Sequence, residues 1–129
     1  MADTVMDQIV YWTQIDQSSL GRPQLEGNTP NSSLAAPMML LFLIQQFCVS
    51  DEVTYKAKFQ HLAVKCIHDC LRHVQRGDLV LENVGAEGQE LPGSVGRLMV
   101  PGHAIEGGWI LLRMCNMFGK PELKEKVNS

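Results

Sequence analysis

The chain has 129 residues, 45% hydrophobic and 19% charged, with 11 Lys+Arg against 14 Asp+Glu for a formal net charge of −3. That composition belongs to a globular domain and excludes disordered, collagenous and coiled-coil classes, and no stretch gathers enough Lys and Arg to follow a phosphate backbone, so nucleic acid is not an expected partner. The opening MADTVMDQ is acidic where a secretory signal is basic, and the longest strictly apolar run, Leu34 to Ile44 with Pro37 inside it, is too short for a bilayer; the expectation is a cytoplasmic protein with no membrane partner.

Thr4-x-x-Asp7 resembles a capping box, and Val5, Ile9, Trp12 and Ile15 recur at helical spacing until Ser18, Ser19 and Gly21, which predicts a first helix near Thr4 to Gln17. Gly21 to Ser33, with two prolines and two glycines, reads as a connecting loop. A second helix follows, capped by Ser32 or Ser33 with Pro37 tolerated in its first turn. From Ala35 to Ile44 it has no charged residue, so it needs cover on both sides, which so short a chain has difficulty supplying.

A third helix, near Asp51 to Gln75, lines Phe59, Leu62, Ala63, Cys66, Ile67, Cys70, Leu71 and Val74 along one stripe. Gly77-Asp78 breaks it, and Leu79 to Leu81 with Val84 suggests a short strand ended by Gly85 to Glu90. A fourth helix is predicted from near His103 to Gly119, a C-cap candidate, and Pro121 starts a last turn or two. The fold class is all-α.

Cys48, Cys66, Cys70 and Cys115 are expected to be reduced thiols in a cytosolic chain. Cys66, Cys70 and His73 share one helix face and have the spacing of metal ligands, but they lie inside the apolar stripe and no second ligand pair exists, so core packing is the preferred reading and no metal is assigned. His61 and His68 fall on polar faces. Asn31-Ser32-Ser33 fits the glycosylation pattern without the compartment in which it is used. The glycines at 85, 88, 93 and 96 lack the Lys-Ser/Thr of a phosphate loop.

Gly96 to Trp109 is different. It joins a loop-borne Arg97 to His103 and Glu106, which stand at i and i+3 on one helix turn. A carboxylate one turn from an imidazole can hold its tautomer, and an arginine can neutralise an oxygen that turns negative during reaction, which would suit a general base; on these residues alone an ordinary helix-start histidine is the preferred reading, since single His/Glu pairs are common on helices.

These residues sit in a longer series: MDQIVYW (Met6 to Trp12), LGRPQLEG (Leu20 to Gly27), APMMLLFLIQQ (Ala36 to Gln46), HVQRG (His73 to Gly77), LENV (Leu81 to Val84), ELPGSVGR (Glu90 to Arg97), PGHAIEGGW (Pro101 to Trp109) and PEL (Pro121 to Leu123). In that order they resemble the central part of an animal member of the N-acylglucosamine 2-epimerase family, also called renin-binding proteins. The resemblance implies an (α/α)6 barrel of which this chain, incomplete at both ends, holds about four helices. It implies interconversion of N-acetylglucosamine and N-acetylmannosamine by removal and return of the C2 proton of the opened sugar, two histidines working from opposite faces.

His103 matches one of that pair and Glu106 its accompanying carboxylate, with Arg97 near the substrate; the partner histidine and an arginine would lie in segments missing here. The resemblance also implies no cofactor for the chemistry, ATP or a related nucleotide as effector, and a homodimer at full length. The leucine heptad linked to renin association starts where Leu40 stands but meets Phe47 and Thr54, so renin binding is not supported. Val100 and Gly107 replace the Asn and Ala more usual in the family. The competing class is a non-catalytic helical interaction module, or truncated isoform, that binds through the faces of helices two and three.

Overall fold

In a computed structural model of the chain, the residues described are 1–16, 18, 31–119 and 125. Among them the backbone forms four helices, α1 (Ala2–Gln14), α2 (Ala35–Ser50), α3 (Glu52–Leu71) and α4 (Pro101–Phe118), with four very short strands, β1 (Asn31–Ser33), β2 (Val74–Gln75), β3 (Leu79–Val80) and β4 (Asn83–Gly85), and a 3-10 turn at Val95–Arg97. The all-α expectation holds, and the four helices are consistent with a segment of a helical barrel. The predicted loop and the turn after Pro121 lie almost wholly outside the described residues. No described helix is long and apolar enough to cross a membrane.

The helix ends have identifiable causes. The first helix starts earlier than the Thr4 box suggests: Ala2 opens it and the Met1 carbonyl accepts from Val5 N. Ser18 N donates to Asp16 Oδ1, a turn that competes with further helix. Neither Ser32 nor Ser33 is the formal cap of α2, since both belong to β1 and Leu34 precedes the helix, yet Ser33 Oγ accepts from Ala35 N at 3.3 Å and so covers one orphan donor. Asp51 caps α3 by accepting from Thr54 N.

That third helix ends at Leu71, four residues before the expected end at Gln75, because Arg76 and Gly77 adopt φ of 54° and 88° and fold the chain into the β2–β3 hairpin, Val74 opposite Val80. Pro101 opens α4 two residues before His103, since its fixed φ is helical and its missing N–H needs no partner. Gly119, at φ 33°, closes it by donating to the Cys115 carbonyl.

The second, third and fourth helices pack against one another, so α2 is covered by two neighbours from within the chain. Met38, Leu41 and Ile44 of α2, Ala63, Cys66 and Ile67 of α3, and Ile110 and Met114 of α4 are all buried in one core cluster. Buried Met6 anchors α1, and Asp3 ties it to α3 by accepting from Lys58 Nζ at 2.7 Å and from Tyr55 OH at 3.3 Å.

One further feature bears on the site. β1 pairs antiparallel with β4, Ser33 opposite Asn83, and beside that ladder Leu34 N donates to the Glu82 carbonyl while Glu82 N donates to the Leu98 carbonyl, both at 2.9 Å. Glu82 is thus held by its backbone on both sides.

Candidate functional site

The sequence places His103 at the third position of α4, where Pro101 has already set the helical direction. Its ring Nδ1 lies 2.8 Å from Oε2 of Glu82. A carboxylate accepts only, so Nδ1 carries the proton of that bond and Nε2 is the nitrogen left for other work. The His103 side chain is 36% exposed and that of Glu82 10%. The pair therefore sits at the boundary between core and solvent, histidine outermost.

Glu82 is one of few polar side chains inside the described structure, and a buried carboxylate is costly unless its oxygens are bonded. Both are: Oε2 meets His103, and Oε1 accepts from Ser33 Oγ at 3.3 Å. The three side chains form one chain, Ser33 to Glu82 to His103, drawn from β1, the residue before β4, and α4.

Of the residues chosen from sequence, His103 has a carboxylate partner, but that partner is not Glu106. Glu106 is exposed on α4 and makes no hydrogen bond with His103 among the described residues. The i, i+3 spacing aligned the two positions, but the carboxylate that reaches the ring comes from 21 residues earlier. Arg97 is exposed on the 3-10 turn with no described side-chain partner. Glu82 was missed. The signal was present as a single carboxylate inside the apolar run Leu79 to Val84, where a charged side chain needs a partner.

Cys66, Cys70 and His73 behave as a core. Burial pushes the Cys66 thiol up to about 12 and the Cys70 thiol up as well. His73 Nδ1 donates to the Leu81 carbonyl at 2.8 Å, and burial holds its ring below the usual imidazole range. Among the described residues, no group of three or more His, Cys, Asp or Glu side chains is placed to hold a metal ion.

No family model matches the chain. Curated relatives do. Over 124 residues, 95% of this chain, it is 50% identical to the human N-acylglucosamine 2-epimerase, 47% to the bovine protein and 45% to the rat protein. This chain is a homologue of the N-acylglucosamine 2-epimerases. It spans about 29% of the length of those relatives. Within N-acylglucosamine 2-epimerase terms, the PGHAIEGGW stretch is the start of α4, and the histidine it carries is the one that the structure couples to a buried carboxylate.

Proposed function

We propose that this chain contributes half of the proton-transfer machinery of an amino-sugar 2-epimerase, acting on N-acetylglucosamine and N-acetylmannosamine in the cytoplasm. The observation that carries the reading is His103, partly exposed, with Nδ1 bonded to a buried carboxylate and no partner for Nε2 among the described residues. The homology to proteins named for this reaction supplies the substrate class.

In the opened sugar the C2 proton is adjacent to the C1 carbonyl. His103 Nε2 takes that proton while the C2–H electron pair moves into a C1–C2 double bond and the carbonyl oxygen gains negative charge. Arg97, on the turn just before α4, is the cation assigned to that oxygen. Return of a proton to the opposite face of C2, from a second acid outside this set of residues, inverts the centre. Glu106 stays in the reading as an exposed carboxylate on the same helix turn.

The test is solvent deuterium uptake at C2, measured from each sugar separately with the protein at its native length. His103→Asn keeps a hydrogen-bonding shape but cannot take up a proton near neutral pH, and should abolish exchange from at least one sugar while leaving sugar binding largely intact. Glu106→Gln should cause a smaller loss. Exchange at the normal rate from both sugars in His103→Asn would make this histidine structural.

A further inference from the structure

We infer that Glu82 is the positioning residue for proton transfer by His103, fixing the imidazole as its Nδ1–H tautomer so that the basic Nε2 points away from the core; this rests on His103 being the C2 base.

Four observations converge on it. The Glu82 carboxylate is 2.8 Å from Nδ1, an acceptor facing a nitrogen that must therefore carry hydrogen. Its other oxygen is occupied by Ser33 Oγ, so the carboxylate cannot rotate freely without losing a bond. Its backbone is bonded at both N–H and C=O, to Leu98 and Leu34, so its Cα has little freedom either. Glu82 is 8% exposed, which removes the water that would compete for the imidazole. A free imidazole in water has no such constraint and exchanges its proton between the two nitrogens.

The other charged groups placed around this helix start are Arg97 on the 3-10 turn and Glu106 one turn along α4, both exposed and neither bonded to the ring among the described residues. Behind Glu82 stands His73 from the end of α3, buried and already committed through Nδ1 to the Leu81 carbonyl. Glu82 is thus the group with the geometry to choose the tautomer. A Ser33–Glu82–His103 chain built this way differs from a simple surface ion pair, whose partners are both wet and mobile.

The experiment has two readouts. Imidazole nitrogen shifts of His103, recorded on the 129-residue chain at alkaline pH, report the tautomer without any substrate. Wild type should give Nδ1–H; Glu82→Leu, which removes the acceptor, should lose that preference. At native length Glu82→Leu should lower kcat for C2 exchange by about 10²-fold or more, as misdirected tautomers do elsewhere, with KM changed little. Glu82→Gln keeps an acceptor carbonyl of the same length and should retain the tautomer and recover part of kcat.

An Nε2–H ring in wild type, or a Glu82→Leu protein that keeps both tautomer and kcat, overturns the inference. If Glu82→Leu does not fold, the wild-type tautomer and Glu82→Gln decide, and an Nε2–H ring at undiminished kcat in Glu82→Gln refutes it. The underlying reading fails separately: C2 exchange that survives in His103→Asn removes the base while the tautomer result still stands.

Discussion

His73 and Leu81 hold each other twice: Leu81 N donates to the His73 carbonyl at 2.9 Å, and His73 Nδ1 donates to the Leu81 carbonyl at 2.8 Å. The reciprocal pair fastens the end of α3 to the residue immediately before Glu82, so the carboxylate that meets His103 is anchored to the core through its neighbour.

That clasp is sensitive to acid. Burial lowers the His73 pKa from its ordinary 6.5, so the folded protein holds a neutral ring where the unfolded chain takes a proton. The stability it contributes is fully present above about pH 6.5 and is lost as pH falls from there toward the lowered folded value. Urea titrations between pH 7.5 and 5 should show stability dropping in that window. His73→Phe should be less stable at pH 7.5 but flatter below 6.5, and an unchanged slope in this variant would assign the acid sensitivity elsewhere.

Alkylation should distinguish folded from unfolded thiols sharply. Cys66 is pushed up to about 12 and Cys70 is raised too, both by burial, so neither carries appreciable thiolate at pH 8. Mass spectrometry after brief iodoacetamide treatment should find both unmodified in the native protein and both modified in urea. Fast native labelling of Cys66 would contradict the packing described for α3.

Two glycines should respond in opposite directions to alanine. A Cβ on Gly96 would collide with the Leu91 carbonyl oxygen, so Gly96→Ala must displace the turn that leads to Leu98, at a cost of about 2 kcal/mol or more. At Gly107 an added methyl would find Met38 Sδ at 3.8 Å, an ordinary contact, inside a helix where Ala is favoured over Gly by roughly 1 kcal/mol. Thermal melts should show Gly107→Ala above wild type and Gly96→Ala well below it.

Arg97→Ala separates folding from chemistry. The side chain is exposed and has no described partner, so its removal should change stability by no more than about 0.5 kcal/mol. Loss of a charge that stabilises a developing oxyanion should still slow C2 exchange by about 10²–10³-fold at native length. A variant with normal exchange would take Arg97 out of the substrate site.

The helices were legible because their signals are local: apolar stripes that match the buried faces, and a glycine that ends α4. Boundaries slipped where the deciding interaction was not local. The end of α3 depends on the hairpin at Arg76 and Gly77, and the start of α2 on a ladder formed with residues about fifty positions away. His103 stood out because it lies in a dense motif. Its partner did not, because helical spacing proposes neighbours only within the same helix, and Glu82 reaches the ring through tertiary packing.

Glu82 takes its backbone partners from Leu34 and Leu98 and its side-chain partners from Ser33 and His103. Nothing in it is complete until three separated stretches of chain have met, whereas α2 and α3 are joined directly at Asp51 and can pack early. The expected order of assembly is that the helical pair forms as a scaffold and the Ser33–Glu82–His103 junction closes last. In hydrogen exchange the Glu82 amide should therefore open with the junction while the α2 and α3 amides stay protected, which makes the readiness of the site a property separable from the folding of the core.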